Sequence, residues 1–295
     1  LYRFDNEYIS ALYLTQGEGY WLRFTVEGST IINGFSINAL IMNLTEGWNL
    51  FSGVSEDVSI FAVVDPDSII VPGTLYGFNE GYVGTDMLVS GNGYWVRAFE
   101  EGEITLTSGA LAKTSPKEFS LKGKANNLTV NNTDLYFGVE MSAEDRLSYS
   151  LPPKPPAGAF DVRFSGNWKY CEDYGVIEVT NPGETLVIEY NVKEGELWEL
   201  VPVIANGTEW SAAIPLSDQG QLAFGSGVEQ WILRKSVSIV STTFALHPAY
   251  PNPFNPITSL RYDLPEKAQV ALTIYDLMGR EVTQLVNTTQ EAGYR

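Results

Sequence analysis

Along most of this chain, apolar and polar residues alternate over short runs, and Gly, Pro or Asn closes each run. A period of two with turn residues at the ends predicts strands. In the middle of the chain, LTVNNTDLYFGVEM, LSYSLPP, AFDVRFSG, YGVIEV, TLVIEYNV, LWELVPVI and WILRK are each expected to be extended. Together they predict a sandwich of about seven to nine strands. Tyr, Phe, Trp, Gly, Val, Thr and Asn are plentiful and Lys and Arg few, which favours strands and turns over helices. A hydrophobic share of 44% is enough to bury a core, and 295 residues allow two or three domains.

The alternation repeats. LYRFDNEYISALYLTQGEGYWLRF begins at Leu1 and LYGFNEGYVGTDMLVSGNGYWVRA at Leu75, an offset of 74 residues. Leu1, Tyr2, Phe4, Tyr8, Leu14, Gly17, Gly19, Tyr20, Trp21 and Arg23 match Leu75, Tyr76, Phe78, Tyr82, Leu88, Gly91, Gly93, Tyr94, Trp95 and Arg97 without a gap. Each copy then has a Glu-Gly turn and another short apolar strand. In the first copy, Tyr20, Leu22 and Phe24 should face one side and Trp21 and Arg23 the other, and the second copy alternates in the same way. Large aromatics on such a strand anchor a sandwich core. The second copy also has a first half, from Leu44, that includes GWNL; its counterpart would lie before Leu1, so the chain is expected to begin inside a repeat. A GWNL strand followed by a GxGYWV strand resembles a small β-domain of large secreted proteins from certain Gram-negative bacteria. The resemblance covers roughly Leu1 to Ala112 and implies a surface location rather than an activity.

The last part of the chain runs FALHPAYPNPFNPITSLRYDLPEKAQVALTIYDLMGREVTQLVNTTQEAGYR. Prolines cannot donate a backbone hydrogen bond and push the preceding residue away from the helical region. The AYPNPFNP segment is therefore expected to be a stiff, extended lead-in to a strand. Tyr250, Pro251, Asn252, Pro253, Phe254, Asn255 and Pro256, then Thr258, Tyr262, Leu264-Pro265, Val270, Leu272, Ile274-Tyr275-Asp276, Gly279, Val282, Leu285 and Gly293, resemble the C-terminal sorting domain of type IX secretion substrates. That sequence class is shared with a wider group of terminal Ig-like modules. The resemblance implies a small Ig-like sandwich that is read by the outer-membrane export machinery and is often cleaved as the cargo is attached to the cell surface. LPPKPPAGAFDVRFSGN, from Leu151, resembles a module that often precedes it. The family continues with a V-x-W-D strand and a final strand that are absent here, so Arg295 is expected to cut this sandwich as Leu1 cuts a repeat. Two accounts stand at this point. Either the chain is a piece of something longer, or strands of a neighbouring chain complete both domains by β-augmentation along a fibre, with contacts near Leu1–Phe24 and Ser259–Val286.

The expected fold class is thus all-β: tandem β-sandwich and Ig-like domains with an internal repeat of about 74 residues. Residues 1–43 form the second half of a repeat and residues 44–113 a complete one. Residues 114–240 form a sandwich, and residues 241–295 the start of a sorting-type domain.

Charge narrows the partners. The net charge is −18, so nothing here would neutralise phosphates or seek an anionic membrane surface. No run approaches 18 apolar residues, and no membrane insertion is expected. The single cysteine, Cys171, excludes intramolecular disulfides and Cys/His metal clusters, and is expected to act as a small buried hydrophobe. The single histidine, His247, sits beside Pro248, a poor setting for a zinc site or a Ser-His-Asp triad.

The remaining candidates are modest. Asp65/Asp67, Glu100/Glu101, Glu144/Asp145 and Glu172/Asp173 are acidic pairs; a glycosidase would need such a pair across a cleft, and solvated surface charge is the preferred reading. DPDS, with Asp65, Asp67 and Ser68, is a candidate calcium loop that lacks the full EF-hand pattern. Trp21, Trp95, Trp168, Trp198 and Trp210 are either core residues, which is preferred, or a sugar-stacking platform. Asn43, Asn127, Asn131, Asn206 and Asn287 each begin an N-x-[ST] sequon, a pattern that chance alone also produces. Asp67-Ser68-Ile69 resembles the O-glycosylation motif of the same secretory bacteria, which marks Ser68.

The functional expectation is a non-enzymatic extracellular or cell-surface protein, structural or adhesin-like. It could be the subunit of a fibre built by strand sharing. Its partners would be other copies or the cell envelope, the secretion machinery through the C-terminal domain, and glycans. No nucleic acid and no cofactor beyond candidate Ca2+ is expected. The alternative is the non-catalytic spacer or carbohydrate-binding tail of a larger secreted hydrolase.

Overall fold

A computed structural model of the chain describes residues 1–295 except 25, 27–33, 113–119, 132, 184, 204–212, 226, 227, 229, 237–242, 255 and 291. It is nearly all β and sandwich-type, as the alternation predicts. The described residues form two compact units. One comprises Leu1–Lys124, Glu140–Cys171 and Glu178–Asn181; the other comprises Ala125–Val139, Glu172–Ile177 and Pro182–Arg295.

In the first unit, β1 (Tyr2–Asp5) and β2 (Glu7–Ser10) form a hairpin. Then follow β3 (Ala39–Leu44), β4 (Gly47–Ser52), β5 (Val58–Ser59), a short 3-10 turn, β6 (Tyr76–Phe78), β7 (Tyr82–Gly84), β8 (Met87–Leu88), β9 (Gly93–Ala98) and β10 (Gly102–Thr107). One sheet has the order β4-β9-β6-β7, while β3 pairs with β10 and β5 with β8. The alternation on β9 decides the packing. Tyr94, Val96 and Ala98 enter a core with Met42, Leu44, Phe51, Ile104 and Leu106. Trp95 points to the opposite side and buries with Tyr76 and Leu151, against Phe4, Tyr8, Trp48 and Tyr82.

The 74-residue repeat is present in the backbone. Tyr2 faces Ser10 and Phe4 faces Tyr8 in the first hairpin; Tyr76 faces Gly84 and Phe78 faces Tyr82 in the second. Tyr2 bridges Trp21 as Tyr76 bridges Trp95. The Thr15 amide donates to the Tyr20 hydroxyl at 2.8 Å, and the Val89 amide to the Tyr94 hydroxyl at 2.8 Å. The two copies also meet reciprocally. The Phe4 ring lies 4.9 Å from Trp95, and the Phe78 ring 4.6 Å from Trp21. Such exchange of equivalent contacts is the signature of a two-fold relation, here between two halves of one chain. Gly19 allows the close approach: a Cβ there would stand 2.8 Å from the Phe51 carbonyl oxygen.

The middle of the chain carries β11 (Asn126–Val130), β12 (Thr133–Phe137), α1 (Ala143–Leu147), β13 (Asp161–Phe164), β14 (Tyr170–Cys171), β15 (Tyr174–Thr180), β16 (Thr185–Asn191), β17 (Trp198–Val203), β18 (Ile214–Leu216), β19 (Gln219–Gly225) and β20 (Gln230–Lys235). In the second unit, β12-β11-β16-β19 run side by side, as do β20-β17-β18. Edge-on pairs of Phe137 with Trp198 (4.7 Å) and Phe224 with Trp231 (5.5 Å) join strands of the two groups. Two expectations need correction. LTVNNTDLYFGVEM holds a hairpin rather than one strand, because Asn131 turns with φ +42°. LSYSLPP forms no strand: Leu147 ends α1, which Ser142 caps by accepting the Asp145 amide, and Pro152 and Pro153 offer no donors for a ladder.

At the end of the chain, β21 (Ala245–Leu246), β22 (Tyr262–Leu264) and β25 (Gly293–Tyr294) form a small sheet in the order given. β23 (Ala268–Tyr275) and β24 (Glu281–Gln290) form a ribbon with two register shifts. The proline segment is not the extended lead-in expected. It is a closed loop: Tyr250 and Ser259 exchange backbone hydrogen bonds of 3.0 and 2.8 Å, and the Thr258 hydroxyl donates to the Pro251 carbonyl. Tyr250-Pro251 and Asn252-Pro253 are cis. A strand does follow it, at β22. Among the described residues, no helix is long and apolar enough to cross a membrane.

Candidate functional site

The residues singled out by sequence do not converge. The Asp65 carboxylate accepts the Ile69 and Ile70 amides, both at 2.9 Å, so it already closes its own turn. Asp67 and Ser68 are exposed beside it, Ser68 with φ +58°. Among the described residues, no group of three His, Cys, Asp or Glu side chains gathers in a way that could hold a metal. Of the sequon residues, Asn43 is exposed on β3 and Asn287 on β24. Asn131 is exposed at its turn, and its amide oxygen accepts from the Val187 amide. Asn127 is half-buried on β11 between β12 and β16, and its partner Thr129 donates to Asp134. Asn206 lies outside the described residues, as does Asn255 of the proline motif. In that motif Tyr250 packs against Phe224, while Phe254 and Pro256 are exposed.

The tryptophans divide. Trp95 and Trp198 are fully buried, as the core reading expects. Arg146 lies over the half-buried Trp168 ring at 5.1 Å. Trp210 lies outside the described residues. Trp21 stays half-buried and lines a groove of about 830 Å³ with Tyr2, Tyr8, Phe24, Phe78 and Phe160. Arg23 and Glu80 are charged groups at this groove, and residues 156–159 form part of its wall.

Next to Tyr8 and Trp21 of the groove, the buried polar atoms are unusual. The Tyr82 hydroxyl donates to the Pro153 carbonyl at 2.7 Å. Burial, and then the facing Tyr8, hold the Tyr82 phenol far above its ordinary range; burial raises Tyr8 too. Among the described residues, the Tyr8 hydroxyl sits against Tyr82 and Trp21 without a hydrogen bond of good geometry, and the equivalent indole N–H groups of Trp21 and Trp95 are both buried without an acceptor.

Behind the wall lies a feature that sequence reading missed. Arg163 is fully buried and pairs with Asp161 through two bonds of 2.6 Å; it also donates to the Pro152 carbonyl and to Asn167. A guanidinium fork satisfied in this way clamps the proline loop. The signal was the Asp-x-Arg on a strand after a proline run, with charges spaced for one face. Lys154 and Ser165 both hold Glu178 nearby, at 2.6 and 2.5 Å.

The second unit has its own polar knot. Asn126 is buried and donates to the Phe137 carbonyl and to Glu196, which also accepts from the Trp198 indole N–H. Gly138, with φ +78°, is required beside it, since a Cβ would stand 2.5 Å from the Asn126 amide nitrogen. His247 of this unit pairs with Asp263 at 2.8 Å, whereas Cys171 belongs to the first unit and is buried.

Among the described residues, what the arrangement offers is aromatic surface and open sheet. Comparison with protein-family models, with curated proteins and with solved structures brings no match.

Proposed function

We propose that this chain is a non-enzymatic extracellular or cell-surface protein, structural or adhesin-like, that works by joining its sheets to strands of neighbours in a fibre. The observation that carries this reading is the pair of open sheets. In the first repeat copy, Leu22 and Phe24 are 52% and 53% exposed on a segment bridged on one edge alone. In the terminal ribbon, Tyr275, Val282 and Leu285 are more than half exposed on strands that, among the described residues, pair with each other alone. Exposed apolar sheet edges are docking or aggregation surfaces. The export and sorting role rests on the terminal motif, whose Phe254 is exposed on the loop that Tyr250 and Ser259 close.

Electron microscopy of native material tests it. Ordered fibres with this chain as the repeating unit are expected, and deleting residues 1–24 or 259–286 should abolish assembly. Isolated particles, or assembly indifferent to both deletions, would sink the idea. The aromatic groove favours one second reading, a carbohydrate-binding tail of a larger secreted enzyme. Saturable retention on an insoluble polysaccharide, lost in Trp21→Ala, would decide for it.

A further inference from the structure

One of the contacts in which the two repeat copies differ bears on what the groove takes. In the complete copy, Trp48 of β4 sits in a socket. Its ring lies 5.9 Å from Tyr76 and 6.5 Å from Trp95, and the Arg97 guanidinium stands 5.9 Å from its centre. Seventy-four residues earlier, the same three positions are Tyr2, Trp21 and Arg23. All three line the 830 Å³ groove.

The backbone agrees with the side chains. In the complete copy, Trp95 bridges Tyr76 on one edge of β9, and β4 covers the other edge, with Val96 opposite Asn49 and Tyr94 opposite Phe51. In the first copy, Trp21 exchanges bonds of 2.8 Å with Tyr2. The backbone groups of Tyr20, Leu22 and Phe24, which alternate to the other edge, form no hydrogen bond among the described residues.

We infer that the groove receives an extended strand of Gly-Trp-Asn-Leu pattern from another repeat unit of the same kind. Its tryptophan enters between Tyr2 and Trp21 beneath Arg23, and its backbone pairs with residues 20–24. This is strand addition with a side-chain pocket for register. A sugar could use the aromatic faces, but it would have no use for a strand edge lying in register beside them. The inference deepens the structural reading above and rests on it only for the origin of the strand.

The probe is a synthetic peptide of residues 44–53, LTEGWNLFSG. It keeps Thr45, whose amide and carbonyl bond the Asn49 side chain at 2.9 and 2.8 Å and shape the start of β4. Titrated into the full chain by calorimetry, it should bind at one site. The Trp48→Ala peptide should bind about tenfold or more weakly, a comparison that leaves the protein unaltered. Arg23→Ala in the chain should weaken the parent peptide several-fold. No binding, equal binding of the two peptides, or displacement of the peptide by a soluble oligosaccharide would each overturn the inference. Failure here with fibres present in the micrographs leaves the structural reading standing; binding without fibres leaves the socket and removes the fibre.

Discussion

Residues 1–24 and residues 75–98 have nearly the same sequence pattern and the same hairpin register, yet they end differently. Gly93–Ala98 is a six-residue strand with Val96 fully buried and Trp95 2% exposed. Among the described residues, the equivalent stretch in the first copy touches β4 only at its start, where the Gly19 amide donates to the Leu50 carbonyl, bridges Tyr2 at Trp21, and leaves Leu22 and Phe24 half exposed. The hairpin therefore depends on local pairing, whereas the GYW strand depends on neighbours: β4 along its edge and the β3–β10 layer over its face. Propensity makes the segment able to be a strand, and tertiary partners make it one.

The largest effect should come from testing this difference directly. Trp95→Ala should cost about 3–5 kcal/mol, since it empties a filled core position. Trp21→Ala should cost less than half as much, because one flank of its ring already faces the groove. Urea unfolding followed by far-ultraviolet circular dichroism measures both, and equal costs would show that the first copy is as closed as the second. Next is the clamp shared by the hairpins through the proline loop. Arg163→Met strands the Asp161 carboxylate in the interior and should cost about 3–5 kcal/mol. Adding Asp161→Leu should recover part of the loss; no recovery would mean that the guanidinium acts through Pro152 and Asn167 alone. A smaller contrast lies at the matched turns. Gly17 and Gly91 have φ of +88° and +82°. Gly91→Ala should cost about 1–2 kcal/mol. Gly17→Ala should cost less if the open copy yields at its turn, and the same if it does not.

Much of this was legible beforehand, for physical reasons. The offset of 74, the face alternation around Trp95 and the all-β class follow from periodicity, which a strand cannot hide. The errors came from residues whose meaning is set by partners. Asn131 broke one expected strand into two because a single turn residue outweighs the apolar run around it. Leu147 fell into a helix through the Ser142 cap. The proline motif closed through Tyr250 and Ser259, positions whose hydrogen bonding no local pattern states. β18 and β19 were missed because Pro215 and the glycines Gly220 and Gly225 blur the alternation of segments that pair with β17 and β16. The Trp48 socket was half legible: GWNL and GYW were both visible as strands, but only their pairing shows that one is the lid of the other.

The smallest expected effect concerns the wall of the groove. Burial opposes the charge on Glu178, but Lys154 and Ser165 outweigh it and hold the carboxyl below its ordinary value. A carboxyl depressed in the folded protein contributes stability above the unfolded value, about pH 4.3, and loses it as pH falls through the folded one. Partial exposure of the pair keeps that contribution at or below about 1 kcal/mol. Thermal midpoints of the parent and of Glu178→Gln should therefore differ slightly at neutral pH and converge in acid. Because Pro156 and Phe160 border the open copy's groove, the loosening should also be local. With 5-fluorotryptophan incorporated, the fluorine resonance of Trp21 should move through this acid range while that of Trp95 stays put. Joint movement of both would mean that the proline loop supports the two copies equally, and that the open sheet is not the part of this unit most sensitive to its wall.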